Sequence, residues 1–361
     1  MDEAARRHTV AEHLRWQSAG CYGLGSPLYG KLLELASEDC EAGGVTWSIL
    51  EGHEDHPAAS ALALRFMGSV HRLVLSAEVP RLAHHYPSAG GAVASAESVW
   101  PIFCETLREH RDRLRELIQL PVQTNEVGRS ASLFGGFLTV ARETELPLRL
   151  LELGASAGLN LRWDQYCYET PSGTWGDPAS PVRFADIFAD ESAPVHTAVS
   201  VQQRIGCDAS PVDPCSASGQ LTLRAYLWPD QVARYDRLNG ALEVARRVAV
   251  VIERADAREW LERQLAHPII GSATVVFHSI VMQYLGRQGA TRVAEIIEAA
   301  GRRATAAAPV GWLRLEPVKD TRGGWEHRVF LTTWPGGDER VLAISSPHGP
   351  PVRWLAATPA R

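Results

Sequence analysis

Apolar positions in the first 145 or so residues recur every three or four, as in PLYGKLLELA, ALALRFMGSVHRLVL and FCETLREHRDRLREL, with Pro and Gly clusters between these runs. That spacing lines apolar side chains along one helix face and predicts a helical domain over residues 1–145. From Leu148 the pattern changes to short apolar runs alternating with helical stretches, which predicts a parallel sheet covered on both faces. Strands are expected at 148–153, 198–207, 247–253, 273–279 and 311–317. Two more, at 327–334 and 340–346, are joined by PGGDE, whose Gly-Gly connection predicts an antiparallel hairpin at the end of the sheet. Between the fourth and fifth strands, TRVAEIIEAAGRRA has the apolar stripe and basic end of a sheet-covering helix. The expected fold is therefore α/β, with a helical lid or substrate domain followed by a doubly wound, mostly parallel seven-stranded sheet over residues 146–361.

Length agrees with this division, since 361 residues exceed a typical single core and 45% hydrophobic residues suffice to bury two. The 36 basic and 42 acidic residues form no long block of either sign. This argues against a nucleic-acid arm or a polybasic membrane segment and leaves a small-molecule substrate as the simpler expectation. Six scattered cysteines without a C-x-x-C pair argue against a zinc ribbon or redox motif and read as reduced core thiols. His71, His84 and His85 have no metal-ligand spacing with carboxylates, so no metal is expected. The N-terminal MDEAARRHTVAEHLRW lacks an apolar signal core, and no run approaches the roughly 18 apolar residues of a membrane span, so a cytoplasmic protein is expected.

The chemistry concentrates in LRLLELGASAGLNL, where an apolar strand runs into a small-residue turn and then into a segment able to start a helix. Gly154 and Gly158 can adopt backbone angles closed to other residues, while Ala155 and Ser156 leave room for a ligand to approach the backbone. Glu152 could receive the cationic amino group of an amino-acid-bearing cofactor, which suits S-adenosylmethionine better than a dinucleotide. The bland alternative is a strand-to-helix turn with no ligand.

A ligand across the carboxyl ends of a parallel sheet meets residues just after successive strands. Asp208, in IGCDASP, is placed to bind ribose hydroxyls; it lies 50 residues beyond Gly158, so an insertion is expected around 164–198, and Asp164 is the alternative acid. Asp256 could accept from an adenine amino group beside Ala257, or cap the helix DAREWLERQL, or do both. His278 and Ser279 end the fourth strand, and His278 is the candidate base, with a packed histidine as the alternative. For a substrate, Asn125 is expected to cap a helix while Glu126 and Arg129 face a cleft, the alternative being a capped helix with a surface ion pair. Trp228 could form an apolar wall or belong to a helix-start motif, and Gln283 or Tyr284 could turn toward the site or pack under the lid.

The turn resembles the methyltransferase pattern E-x-G-x-G-x-G, with Ser156 where the middle glycine usually stands. TNEVGR, LELGASAGLNLRWD, IGCDASPVD, YLWPDQ, VVFHSIVMQYL and the run from TTWPGG to PHG together resemble one bacterial family catalogued as a domain of unknown function, over almost the whole chain. The first resemblance implies a methyltransferase-type sheet and S-adenosylmethionine as cofactor; the second implies membership without a reaction. No N/D-P-P-Y run follows the fourth strand, which removes the usual signature of methyltransferases acting on nucleobases or glutamine. The leading expectation is methyl transfer to a small molecule. A non-catalytic adenosyl-ligand-binding protein is a second reading, and a serine hydrolase using Ser156 in G-A-S-A-G a third.

Overall fold

The computed structural model describes residues 2–55, 60–92, 95–185, 187–188, 193–320 and 324–359. Residues 186 and 189–192 of the expected insertion lie outside the described residues. The chain divides into two compact units, Met1–Thr124 with Ser216–Asp236, and Asn125–Cys215 with Arg237–Arg361.

The first unit is helical, as the apolar spacing predicts. Its core gathers Leu14, Leu32, Trp47, Phe66, Val70 and Phe103 from helices that include Glu3–Gly23, Pro27–Glu41, Leu62–Leu75 and Ala96–Glu109. The segment 216–236, far along the chain, belongs to this unit and places Trp228 in the same core. Its Asp230 accepts hydrogen bonds from Ser26 Oγ (2.6 Å) and the Leu28 N–H (3.1 Å), supplying the cap that helix Pro27–Glu41 lacks from its own N-cap residue. His71 is buried between Ser88 Oγ (2.7 Å from Nε2) and the Ala225 carbonyl (3.2 Å from Nδ1), and burial pushes its imidazole down to about 3. It is a packed histidine of this unit.

The second unit is built on an eight-stranded sheet. Along the chain the strands of this unit are β1 (Leu148–Leu153), β2 (Cys167–Thr170), β3 (Gly173–Trp175), β4 (Arg183–Phe184), β5 (Val201–Asp208), β6 (Val251–Arg254), β7 (Ala273–Ser279), β8 (Val310–Lys319), β9 (Trp325–Trp334), β10 (Glu339–Ser346) and β11 (Gly349–Pro359). The large sheet has the order β11-β10-β9-β8-β7-β1-β5-β6, and β3-β2-β4 form a small sheet of their own within the insertion. The pairs from β6 through β5, β1 and β7 to β8 are parallel, and numbered by appearance they run 3-2-1-4-5, the doubly wound order. From β8 to β11 the chain is an antiparallel meander. The eighth strand, β11, corrects the expectation of seven. Its opening GPP reads as a strand breaker, but Pro350 and Pro351 fall in an irregularity of the ladder between the pairs Ser346–Gly349 and Ser345–Val352, where a missing N–H costs no ladder bond.

Each face of the sheet has its own cover. On one, Leu151, Leu153, Val276 and Trp312 pack against Trp260 and Leu261 of helix Ala257–Gln264 and Val293 and Ile297 of helix Met282–Gly301. The other is covered by helix Arg129–Thr144, where Phe137 meets Phe277 edge-on (5.1 Å between centroids) and stacks on Trp163 (4.5 Å), and Phe134 stacks on Tyr168 of β2 (4.1 Å). Such pairs add about 0.5–1.5 kcal/mol each beyond the area they bury. A Cβ on Gly136 would overlap Leu313, so this helix lies close on the sheet. It therefore belongs to the sheet unit, and the boundary falls at 124/125 rather than at 145. No helix among the described residues is long and apolar enough to cross a membrane.

Candidate functional site

After β1 the chain builds β5 and β6 on one side, then returns to build β7 and β8 on the other, so β1 and β7 flank the switch point. In doubly wound sheets, ligands bind in the crevice outside the strands' carboxyl ends at this point. The turn after β1 is held in unusual backbone geometry, with φ of +63° at Gly154, +51° at Ser156 and +65° at Gly158. A Cβ at Gly154 would lie 2.7 Å from Val281 Cγ2, so glycine is required there by both angle and space. Ser156 occupies the left-handed region where a middle glycine would sit without strain.

The N–H donors from Ala155 to Leu159 are all engaged within the protein. Ala155 N–H donates to Cys207 O (3.0 Å), Ser156 N–H to Asp208 Oδ2 (2.9 Å) and Gly158 N–H to Ala155 O (2.6 Å). Asn125 Oδ1 accepts from both Ala157 N–H (3.2 Å) and Leu159 N–H (2.9 Å). Asn125, expected to cap a helix, instead clamps the turn, and helix Arg129–Thr144 starts at Gly128 without a side-chain cap. No α-helix follows the turn either: Asn160–Gln165 is a 3-10 segment. The buried Arg162 donates to the carbonyls of Gly158 (2.8 Å) and Ala157 (3.3 Å), which are the acceptors an α-helix starting here would need.

Glu152 lies two residues before Gly154 on a buried strand, is 3% exposed, and its Oε2 has no hydrogen-bond partner among the described residues. Burial, reinforced by the charge of Asp208, pushes its carboxyl well above the ordinary range, while Arg162 and Arg129 pull the other way. Buried polar atoms are nearly always paired, so a carboxylate oxygen left over at the carboxyl end of β1 calls for an explanation. Asp208, at the end of β5, uses Oδ2 on the turn and Oδ1 on Ser210 N–H (2.8 Å). Asp164, the alternative acid, is instead in an ion pair with Arg204.

Asp256 follows β6 and caps helix Ala257–Gln264 through the Arg258 N–H (2.9 Å); the Arg258 guanidinium, 2.7 Å away, holds its carboxyl down to about 2. The helix-cap reading is thus present in the structure, with Asp256 and Ala257 at the same end of the sheet as the turn. Asp256→Ala is expected to lower the melting temperature through loss of the cap, about 1 kcal/mol. Thermal unfolding of the variant checks this, and an unchanged melting temperature would contradict the cap.

His278 does not have the free nitrogen expected of a base. It is fully buried; Nδ1 lies 2.7 Å from Glu316 Oε1, and Nε2 accepts from Trp312 Nε1–H (3.0 Å). Because the indole can only donate, Nε2 is the acceptor and Nδ1 carries the proton toward Glu316. Glu316 Oε1 also accepts from Val281 N–H (2.9 Å), which ties β8 to the turn after β7. Burial pushes the Glu316 carboxyl up, but the His278 contact and the backbone donors outweigh it, and the net shift is downward. Sequence reading missed Glu316; its signal is a lone carboxylate in the apolar strand run GWLRLEP.

Ser279 lends its carbonyl to Arg129 Nη1 (2.9 Å), and Arg129 Nε donates to Pro347 O (2.9 Å), so Arg129 bridges the end of β7 and the β10–β11 turn. Glu126 is buried and accepts from Gly128 N–H (3.0 Å). Glu126 is therefore not at the surface, where the capped-helix alternative placed an ion pair. Gln283 and Tyr284 are exposed, where packing under a lid or a turn into the site was expected. Trp228 lies in the core of the helical unit.

No curated protein and no solved structure matches the chain. Residues 11–354 match the family described as "Uncharacterized protein conserved in bacteria (DUF2332)". That match takes in the clamp at Asn125, the glycine turn, both acids after β5 and β6, and the His278–Glu316 pair, and so the chain belongs to the DUF2332 family of bacterial proteins.

Proposed function

We propose that the chain is an S-adenosylmethionine-dependent methyltransferase acting on a small molecule, with its cofactor at the carboxyl ends of β1, β5 and β6. The observation that carries this reading is the unpartnered, buried Oε2 of Glu152 beside the glycine turn at the switch point. A cationic amino group is the partner this oxygen lacks, and the methionine part of the cofactor carries one. The turn's donors support the same choice. With every N–H from Ala155 to Leu159 engaged, the turn has no nest to offer a pyrophosphate, which separates it from a dinucleotide site. The 3-2-1-4-5 order of the parallel strands fits a methyltransferase-type sheet, here followed by a three-stranded meander.

S-adenosylmethionine would supply an electrophilic methyl group, so the protein's contribution is mainly positioning. In this reading Glu152 holds the amino group, Asp208 takes the ribose hydroxyls while it keeps the turn closed, and Asp256 with Ala257 borders the adenine. His278 is a positioning residue: it fixes Glu316, which in turn holds the Val281 backbone against Gly154. Calorimetry with S-adenosylmethionine and S-adenosylhomocysteine, followed by mass spectrometry of products, separates a methyltransferase from a non-catalytic adenosyl-ligand binder.

One observation favours the hydrolase reading: the positive φ of Ser156 suits a strained nucleophile elbow. Against it, no α-helix follows the turn, and the Ala157 N–H, the donor an oxyanion hole takes from the residue after the nucleophile, is bonded to Asn125. Ser156→Gly is expected to keep S-adenosylmethionine affinity and to gain up to about 1 kcal/mol from relief of the left-handed backbone. A fluorophosphonate probe that labels the wild-type chain and fails on Ser156→Gly would overturn the methyltransferase reading.

A further inference from the structure

The opposite, amino ends of the strands hold a second polar feature. Arg149, the second residue of β1, is 7% exposed and forms no ion pair with a carboxylate among the described residues. Its Nε donates to Gln203 Oε1 (2.8 Å), Nη1 to Gln264 O (3.2 Å) and Nη2 to Gln264 Oε1 (2.6 Å). A guanidinium carries five N–H donors, of which Arg149 uses three among the described residues, which leaves two. The carboxylate closest in this network, Glu253, is taken up by Arg263 (3.2 Å) and by Gln264 Nε2 (3.3 Å).

Burial pushes the Arg149 guanidinium down from its ordinary value, as expected for a desolvated cation without an acid. The end of helix Ala257–Gln264 offsets part of this charge, since Arg149 bonds the Gln264 carbonyl and Arg303 Nη2 bonds the Leu265 carbonyl (2.8 Å). That helix end supplies only about half a negative charge for two guanidinium groups. Arg149 also borders an open cleft of about 320 Å³, lined with it by Gln202, Gln203, Ile269 and Ser272, and together with Arg303 it lines an adjoining smaller cavity. No acidic residue lines either space.

We propose that this cleft is a binding site for a small oxyanion, the phosphate, sulfate or carboxylate group of a metabolite, held by the two remaining Arg149 donors and flanked by the amides of Gln202 and Gln203. A planar guanidinium presents paired donors in the geometry such a group accepts, and the anion supplies the charge that the buried arginine lacks. The site is independent of the methyltransferase reading. The test is calorimetric titration of the full chain with inorganic phosphate, sulfate and acetate at fixed pH and ionic strength, with chloride as the balancing salt. The expected result is saturable binding of at least one of the three, lost in Arg149→Met and weakened about tenfold in Gln202→Leu, a substitution at an exposed position. Phosphate or sulfate binding assigns a tetrahedral group, and binding of acetate alone assigns a carboxylate. Should Arg149→Met fail to fold, Gln202→Leu decides. No saturable binding of any of the three, or binding undiminished in the variants that fold, would overturn the proposal.

Discussion

Gly154→Val is expected to abolish binding of S-adenosylmethionine, with affinity falling more than about a hundredfold, a loss of roughly 3 kcal/mol or more. Two physical effects act together. The backbone at this position has φ of +63°, which a β-branched residue resists at a cost of about 1–2 kcal/mol. In addition, the new Cβ alone would lie 2.7 Å from Val281 Cγ2, so the turn after β7 must move, and overpacking of this kind costs about 1–3 kcal/mol more. The Val281 backbone is itself held by Glu316, which His278 fixes, so a backbone shift there works against that contact. Circular dichroism establishes that the variant is folded, and titration then measures the loss. A folded Gly154→Val chain that still binds S-adenosylmethionine would put the cofactor elsewhere.

Glu152→Gln is expected to act in opposite directions on binding and on stability. The amide keeps the shape but cannot ionise opposite a bound ammonium as the acid can, so affinity for S-adenosylmethionine should fall about a hundredfold or more, the usual consequence of leaving one member of a buried charged pair unpartnered. Stability should rise. The folded carboxyl is pushed above its unfolded value by burial first and then by Asp208. Below the unfolded value, about 4.3, both states are protonated and no ionisation penalty applies. As pH rises from there toward the folded value, the unfolded chain ionises and the folded one does not, so wild-type stability declines across this window. Glutamine cannot ionise, and the advantage of Glu152→Gln over wild type should therefore grow from pH 4 toward neutrality. Denaturant unfolding across that range measures it, and a constant difference between the two chains would contradict the assignment of Glu152 as a strained, desolvated acid.

The elements legible in the sequence are those whose signal is local. For β1 and β7, the expected bounds coincide with the observed Leu148–Leu153 and Ala273–Ser279, because each is an apolar run closed by turn residues and buried on both faces. The β9–β10 hairpin likewise follows from Gly336 and Gly337 between two alternating runs. Elements whose place depends on distant partners were not legible. Helix Arg129–Thr144 has the same apolar spacing as the helices before it, and only its close approach to Leu313 through Gly136 makes it part of the sheet unit. Segment 216–236 falls within the expected sheet domain of residues 146–361, whereas Trp228 and Asp230 complete the core and a cap of the N-terminal helices.

The same division runs through the site. The glycine turn and the carboxylates after β5 and β6 are visible because strand ends place them. The clamp by Asn125, the replacement of a helix start by Arg162, and the burial of His278 between Glu316 and Trp312 all depend on side chains that meet across the fold. A histidine at the end of a parallel strand looks the same in sequence whether its second nitrogen faces a ligand or an indole.

The most direct test of the central proposal is calorimetric titration of the full chain with S-adenosylmethionine and, separately, S-adenosylhomocysteine. The proposal predicts saturable binding of both at one site per chain, lost in Gly154→Val and strongly weakened in Glu152→Gln. Absence of binding for both ligands, or binding unaffected by Glu152→Gln, would contradict it.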